Sequence, residues 1–151
     1  MTASPGTGEG RIVVGVDGSQ PSRQALRWGA RLAVIFGARV EAVTAWDFPA
    51  SFGWAAQPPE WDPAGDMEKV LDDTVRAVFA DQPPAGLQRQ VCEGGAARVL
   101  LEASRGAIML VVGSRGHGGF TGLLLGSVSA NVAEHASCPV LVVHGGQAPP
   151  A

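Results

Sequence analysis

The sequence predicts an α/β fold: a five-stranded parallel, doubly wound sheet with helices on both faces. Three observations carry that expectation. Strand-like and helix-like patterns alternate along the chain. The apolar runs at 12–16, 107–112 and 140–143 are nearly continuous, as in strands covered on both faces. The length, 151 residues, suits one domain.

Each element follows from local chemistry. Residues 1–10 are small, polar and glycine-rich and read as a loose tail. RIVVGV (11–16) is a short β-branched strand that stops at the turn cluster Asp17-Gly18-Ser19. Pro21 suits the first turn of a helix. Ala25, Leu26, Gly29, Leu32, Ala33 and Phe36 recur at helical spacing, and Gly37 reads as the stop. ARVEAVTAW (38–46) is the second strand. Residues 47–65 break the pattern with four prolines and two tryptophans, and loops of that length are often functional.

Asp66 is placed to cap a helix that runs to about Ala80. Its apolar face is Met67, Val70, Leu71, Val75, Val78 and Phe79. LQRQVC (87–92) is a weak strand, because neither face is cleanly apolar. Val99, Leu100 and Ala103 mark a short helix over 96–105. AIMLVV (107–112) is the strongest strand signal. A glycine-rich loop follows, then a helix near 127–136 and a last strand, PVLVVH (139–144). The ordered domain is taken as 11–145, between disordered tails at 1–10 and 146–151.

Composition excludes several classes. Apolar residues are 46% and charged residues 17% of the chain, as in soluble globular proteins. The net charge of −3 argues against a nucleic-acid partner. No apolar run reaches the ~18 residues of a membrane span, so no membrane partner is expected. Two cysteines, Cys92 and Cys138, make no secreted disulfide framework, and no signal peptide is visible, which points to the cytoplasm.

The stretch GSRGHGGFTGLLLGS (113–127) demands an explanation, because glycine is costly inside regular structure. It leaves the carboxyl end of the strand at 107–112, where ligands of such sheets bind. It then feeds a helix whose first N–H groups, near Ser127 and Val128, lack intrahelical partners and attract an anion. Glycines allow close approach to phosphate oxygens and positive φ. The competing reading is a merely flexible connection. The P-loop pattern fails because Lys69, the only lysine, lies on another helix. GVDGSQ (15–20) lacks the dinucleotide spacing, and GHGGFTG (116–122) is a near miss.

Gly113-xx-Gly116-x9-Gly126-Ser127 resembles the nucleotide motif of universal stress proteins, and LVVGSRGHGGFTGLLLGSVSANVAEHASCPVLVV (110–143) resembles that family throughout. VVGVDGS (13–19) resembles its first strand and aspartate. The resemblance implies a Rossmann-like fold of the adenine nucleotide alpha hydrolase type and an ATP-binding cleft, with ATP alone or with magnesium. Asp17, with the backbone of Gly15 and Val16, would lie near the adenosine. Ala45 would bond the adenine through its backbone. Val112 and Gly113 would meet the ribose. Gly116, Gly126, Ser127 and Val128 would hold the phosphates. Arg115 and His117 lie inside the motif and are added as phosphate contacts. The family pairs its last strands, which implies a homodimer through Val140, Leu141, Val142 and Val143. An apolar edge strand left bare would invite aggregation. In one respect the chain departs from the pattern: Gly94-Gly95-Ala96 stands where many relatives have Gly-x-Pro, which puts the start of the third helix in doubt.

No residue is assigned a catalytic or metal-binding role. Asp17 either contacts nucleotide or caps the turn before Pro21. His135 near a helix end is explained by the helix dipole. His144 has no evident partner. His135 and Cys138 do not complete a zinc set, and both cysteines read as core filler. Trp46, Trp54 and Trp61 either pack over the site or anchor the 47–65 segment, and Trp28 reads as packing. The leading function is a cytoplasmic, homodimeric, ATP-binding stress regulator with little or no turnover. A cyclic-AMP receiver, a slow ATPase or transferase, and an interaction protein with an empty cleft are the alternatives.

Overall fold

A computed structural model describes residues 10–47, 60–116 and 125–150. Strands and helices alternate in it: β1 (Arg11–Gly15), α1 (Gln20–Phe36), β2 (Arg39–Trp46), α2 (Pro63–Phe79), β3 (Gln88–Glu93), α3 (Ala96–Ala103), β4 (Met109–Gly113), α4 (Ser127–His135) and β5 (Val140–Val143). The strands form one parallel sheet in the order β3-β2-β1-β4-β5. Strand order therefore reverses between β1 and β4, and a crevice opens at their carboxyl ends.

Side-chain alternation sorts the core into two layers. Ile12, Val14, Val40, Ala42 and Val111 meet Leu26 of α1 and Leu71 and Val75 of α2 on one face. Val13, Val43, Leu110 and Val112 meet Val99 and Leu100 of α3 and Val132 of α4 on the other. Cys92 and Cys138 are half-buried thiols packed against this second layer. The central strands β1 and β4 are buried on both sides, which is why their sequences are continuous apolar runs. β3 lies at the edge and is largely exposed, which is why its pattern is weak.

Helix starts carry their own corrections. Ser19 caps α1, its Oγ accepting from the Ser22 N–H at 3.3 Å, and Gly37 closes the helix in the left-handed region at φ 63°. α2 begins earlier than the sequence suggests. Its cap is Asp62, not Asp66: the Asp62 carboxylate accepts from the Gly65 N–H at 3.1 Å, and Pro63 takes the first helical position. Asp66 sits inside the first turn, where it complements the helix dipole. α3 starts at Ala96 with Gly95 as cap, so the unusual Gly94-Gly95-Ala96 still begins a helix. Phe36, expected on the buried face of α1, is 51% exposed and stands with the exposed Val34 and Ile35 at the end of the helix.

Polar ties fix the two ends of the sheet. At the amino ends of the strands, the Arg11 guanidinium bonds Glu41 at 3.2 Å, the Ala103 carbonyl at 2.7 Å and the Arg105 carbonyl. One side chain thus joins β1, β2 and the end of α3. Residues 144–150 lie along α1. Trp28 Nε1 donates to the Gln147 carbonyl at 2.8 Å, and Arg31 bonds the Pro150 carbonyl. Among the described residues no helix is long and apolar enough to cross a membrane.

Gly29 of α1 sits against Val14, close enough that an added Cβ would collide with Val14 Cγ2. Val14 is fully buried and stiff at χ1, so it cannot yield cheaply. Gly29→Ala should gain about 1 kcal/mol of helix propensity and lose about 1–3 kcal/mol to overpacking. A net loss of stability in urea unfolding is the expected outcome.

Candidate functional site

The crevice between β1 and β4 is a cavity of about 310 Å³. Its walls come from six elements and the turns beyond the strands. The end of β1 and its turn supply Gly15, Val16 and Asp17, and β2 supplies Ala45. Val112, Gly113, Arg115 and Gly116 come from β4 and the start of the loop. Gly126, Ser127 and Val128 come from the mouth of α4. Every site residue picked from the sequence that the structure describes therefore lies on one wall or another of this cavity. His117 lies outside the described residues, as does Trp54.

Sequence reasoning missed five lining residues: Ser22, Val43, Ala96, Leu100 and Ser129. Leu100, which the sequence marks only as part of a helix face, is 5% exposed and forms the apolar side of the cavity. Arg115 and Asp17 are the charged side chains among the lining residues. Trp46 and Trp61 do not line the cavity. They meet edge to face with ring centroids 6.5 Å apart, which ties the end of β2 to the chain entering α2. That contact fits the anchoring role.

The glycines have two distinct reasons to be glycine. A Cβ at Gly113 would press on backbone atoms of α1, 2.8 Å from Pro21 C and 2.9 Å from Ser22 N. A Cβ at Gly116 would collide with the Asp17 carboxylate. Gly113 is small because the backbone of α1 crowds it, whereas a Cβ at Gly116 would displace the end of one side chain. The positive φ expected from the loop is not found at Gly113, Gly116 or Gly126. Gly126 differs: among the described residues a Cβ there would meet nothing closer than 3.4 Å. Its φ of −71° suits any residue, so none of those neighbours requires glycine at this point.

The mouth of α4 is open in chemical terms. Gly126 is its cap and offers no side chain to the helix. The first intrahelical bond runs from the Ala130 N–H to the Gly126 carbonyl, so the N–H groups of Ser127, Val128 and Ser129 precede the ladder. Asp17 sits where the turn before α1 meets the cavity. Its Oδ1 accepts from the Ser19 N–H at 2.9 Å, which braces the start of α1, while the carboxylate lies beside Gly116 at the cavity wall.

Ser114 organises the loop. Its carbonyl accepts from the Gly126 N–H at 2.6 Å and from Ser129 Oγ at 2.9 Å, and its N–H donates to the Val143 carbonyl at 2.8 Å. Both serines are 3% exposed.

These features define a class: a doubly wound α/β domain whose glycine-lined cavity sits at the switch in strand order, facing the uncapped start of a helix. The universal stress protein family model matches residues 9–144, and the chain belongs to that family. A universal stress protein of Mycolicibacterium smegmatis is 33% identical over 141 residues, covering 89% of this chain and 48% of the relative. Universal stress protein Mb2019 of Mycobacterium bovis is 36% identical over 146 residues, covering 91% and 45%. The chain thus spans about half the length of these curated relatives. A solved universal stress protein in complex with cAMP is 28% identical, with TM-score 0.67, covering 91% of this chain and 98% of that one.

Ser129→Ala removes a buried hydroxyl that bonds the Ser114 and Gly126 carbonyls. A loss of about 1–2 kcal/mol in chemical unfolding is expected.

Proposed function

We propose that this chain binds an adenine nucleotide, ATP, in the β1–β4 cavity and acts as a regulator in the stress response rather than as a catalyst. The observation that carries the reading is the mouth of α4. Unladdered N–H groups and the positive end of the helix dipole lie on the cavity wall, next to a glycine that none of its described neighbours requires. The apolar side made by Val43, Ala45 and Leu100 suits a base, and the α4 end suits phosphates. Magnesium carried with the phosphates would meet Asp17, the carboxylate among the lining residues. The cAMP-bound relative supports an adenine ligand.

Cyclic AMP is the second reading, and it has its own support. Among the described lining residues, Arg115 balanced by Asp17 offers little side-chain charge to a triphosphate, whereas one phosphodiester needs less. Titration calorimetry with ATP and with cyclic AMP, each with and without magnesium, separates the two. Failure of both to bind would sink the proposal.

Gly126→Asp is the sharper test. A carboxylate at this cap would bond the N–H groups of α4 itself, raising stability by a few tenths of a kcal/mol. The same carboxylate would repel phosphate. Nucleotide affinity should fall about tenfold or more, equivalent to ~1.4 kcal/mol, while the melting temperature holds or rises.

The chain is further proposed to act in the cytoplasm as a homodimer through β5, a sheet edge whose exposed flank can accept a second strand. The carbonyls of Pro139 and Val143 bond β4, so the alternate backbone groups of Val140 and Val142 face outward. Val142→Pro deletes an outward N–H and spares the β4 side. Sedimentation should show monomer for this variant and dimer for the parent. A variant that stayed dimeric would rule out pairing at this edge.

A further inference from the structure

The large apolar side chains most open to solvent among the described residues are consecutive. Val34 is 79% exposed, Ile35 68% and Phe36 51%. They end α1, directly before Gly37. Neighbouring helical residues point about 100° apart, so three in a row face outward around much of the helix. The feature is a protruding tip. A grooved protein partner covers one face of a helix, through positions spaced by three and four. Three adjacent positions are covered together by a medium that surrounds them, such as the boundary between lipid headgroups and acyl chains.

The charge around the tip has the matching sign. α1 carries Arg23, Arg27 and Arg31 and no acidic residue. Arg31 lies one turn before Ile35, and Arg39 follows Phe36 by three residues. Arg11 and Arg105 lie at the same end of the sheet, joined through the Arg105 carbonyl. Arg11 and Arg39 share one carboxylate, Glu41, whose side chain is only 8% exposed. Among the described residues the other acids at this end are Asp81 beyond α2, Glu102, which pairs with Arg98, and Glu134. The last two belong to the helices of the opposite face.

We propose that this tip docks the protein peripherally on an anionic lipid surface. Val34, Ile35 and Phe36 enter the interfacial layer, and Arg31 and Arg39 meet lipid phosphates. A peripheral contact needs no spanning segment, so the proposal departs from the expectation of no membrane partner. The tip is at the amino ends of the strands, opposite the cavity, so the proposal stands apart from the nucleotide reading.

Flotation of the whole chain with vesicles tests it, using phosphatidylcholine vesicles with and without phosphatidylglycerol. The parent chain should float with the anionic vesicles and not with the neutral ones, and high salt should weaken the association. Ile35→Glu should reduce flotation about tenfold or more. The side chain is exposed, so circular dichroism and thermal melting should be unchanged. A second variant, Val34→Ser, should show a smaller loss. A parent chain that stayed in solution would overturn the proposal, as would equal flotation of Ile35→Glu. It would equally fall if, without lipid, Ile35→Glu converted a dimer to monomer, which would assign the tip to a second copy.

Discussion

One carbonyl oxygen sets the geometry of the cavity. The Ser114 carbonyl holds the Gly126 N–H and the Ser129 hydroxyl, and so uses both of its lone pairs. The Ser114 N–H is spent on β5. Both ends of the loop from 115 to 125 are therefore fixed relative to the sheet, whatever lies between them. This clasp supplies the closure that a free loop would have to find by chance. It also aims the start of α4 at the cavity before any ligand arrives, and pre-organisation of that kind lowers the cost of binding.

The sheet is held differently at its two ends. At the amino ends, Arg11 gathers Glu41 and two carbonyls from the end of α3 into one polar cluster. At the carboxyl ends, the walls of the cavity are mostly glycine, valine, serine and alanine. α3 has eight residues and belongs to both regions: Ala96 and Leu100 face the cavity, while its last carbonyl is in the grip of Arg11. The domain is tied at one end and open at the other, which is the arrangement a binding protein needs.

Much of this was legible in the sequence, for reasons that can be named. β1 and β4 announce themselves because burial on both faces leaves no polar alternation. The loop announces itself because glycine accumulates only where something requires it. β3 was faint because an edge strand keeps polar side chains on both faces. The start of α2 was hidden because Asp62-Pro63 lies within a proline- and tryptophan-rich stretch that reads as loop. Ser114 and Ser129 carried no signal at all: a serine that bonds backbone across a loop looks like any other. The reason for each glycine was also illegible. Gly113 and Gly116 answer to Pro21, Ser22 and Asp17, neighbours that only the folded chain brings near. Helical periodicity placed Phe36 inward, because a period cannot tell where along a helix burial stops.

The pairing of β1 with β4 has a consequence for biosynthesis. Ile12 finds Met109, and Val14 finds Val111, across almost a hundred residues of intervening chain. A nascent polypeptide that has emerged only as far as β3 can zip β1 to β2, but the other flank of β1 has nothing to bond. Until the ribosome delivers β4, that flank is an open template of amide and carbonyl groups bordered by valine and isoleucine. An unpaired edge of that kind favours aggregation, and it stays uncovered until β4 has been made.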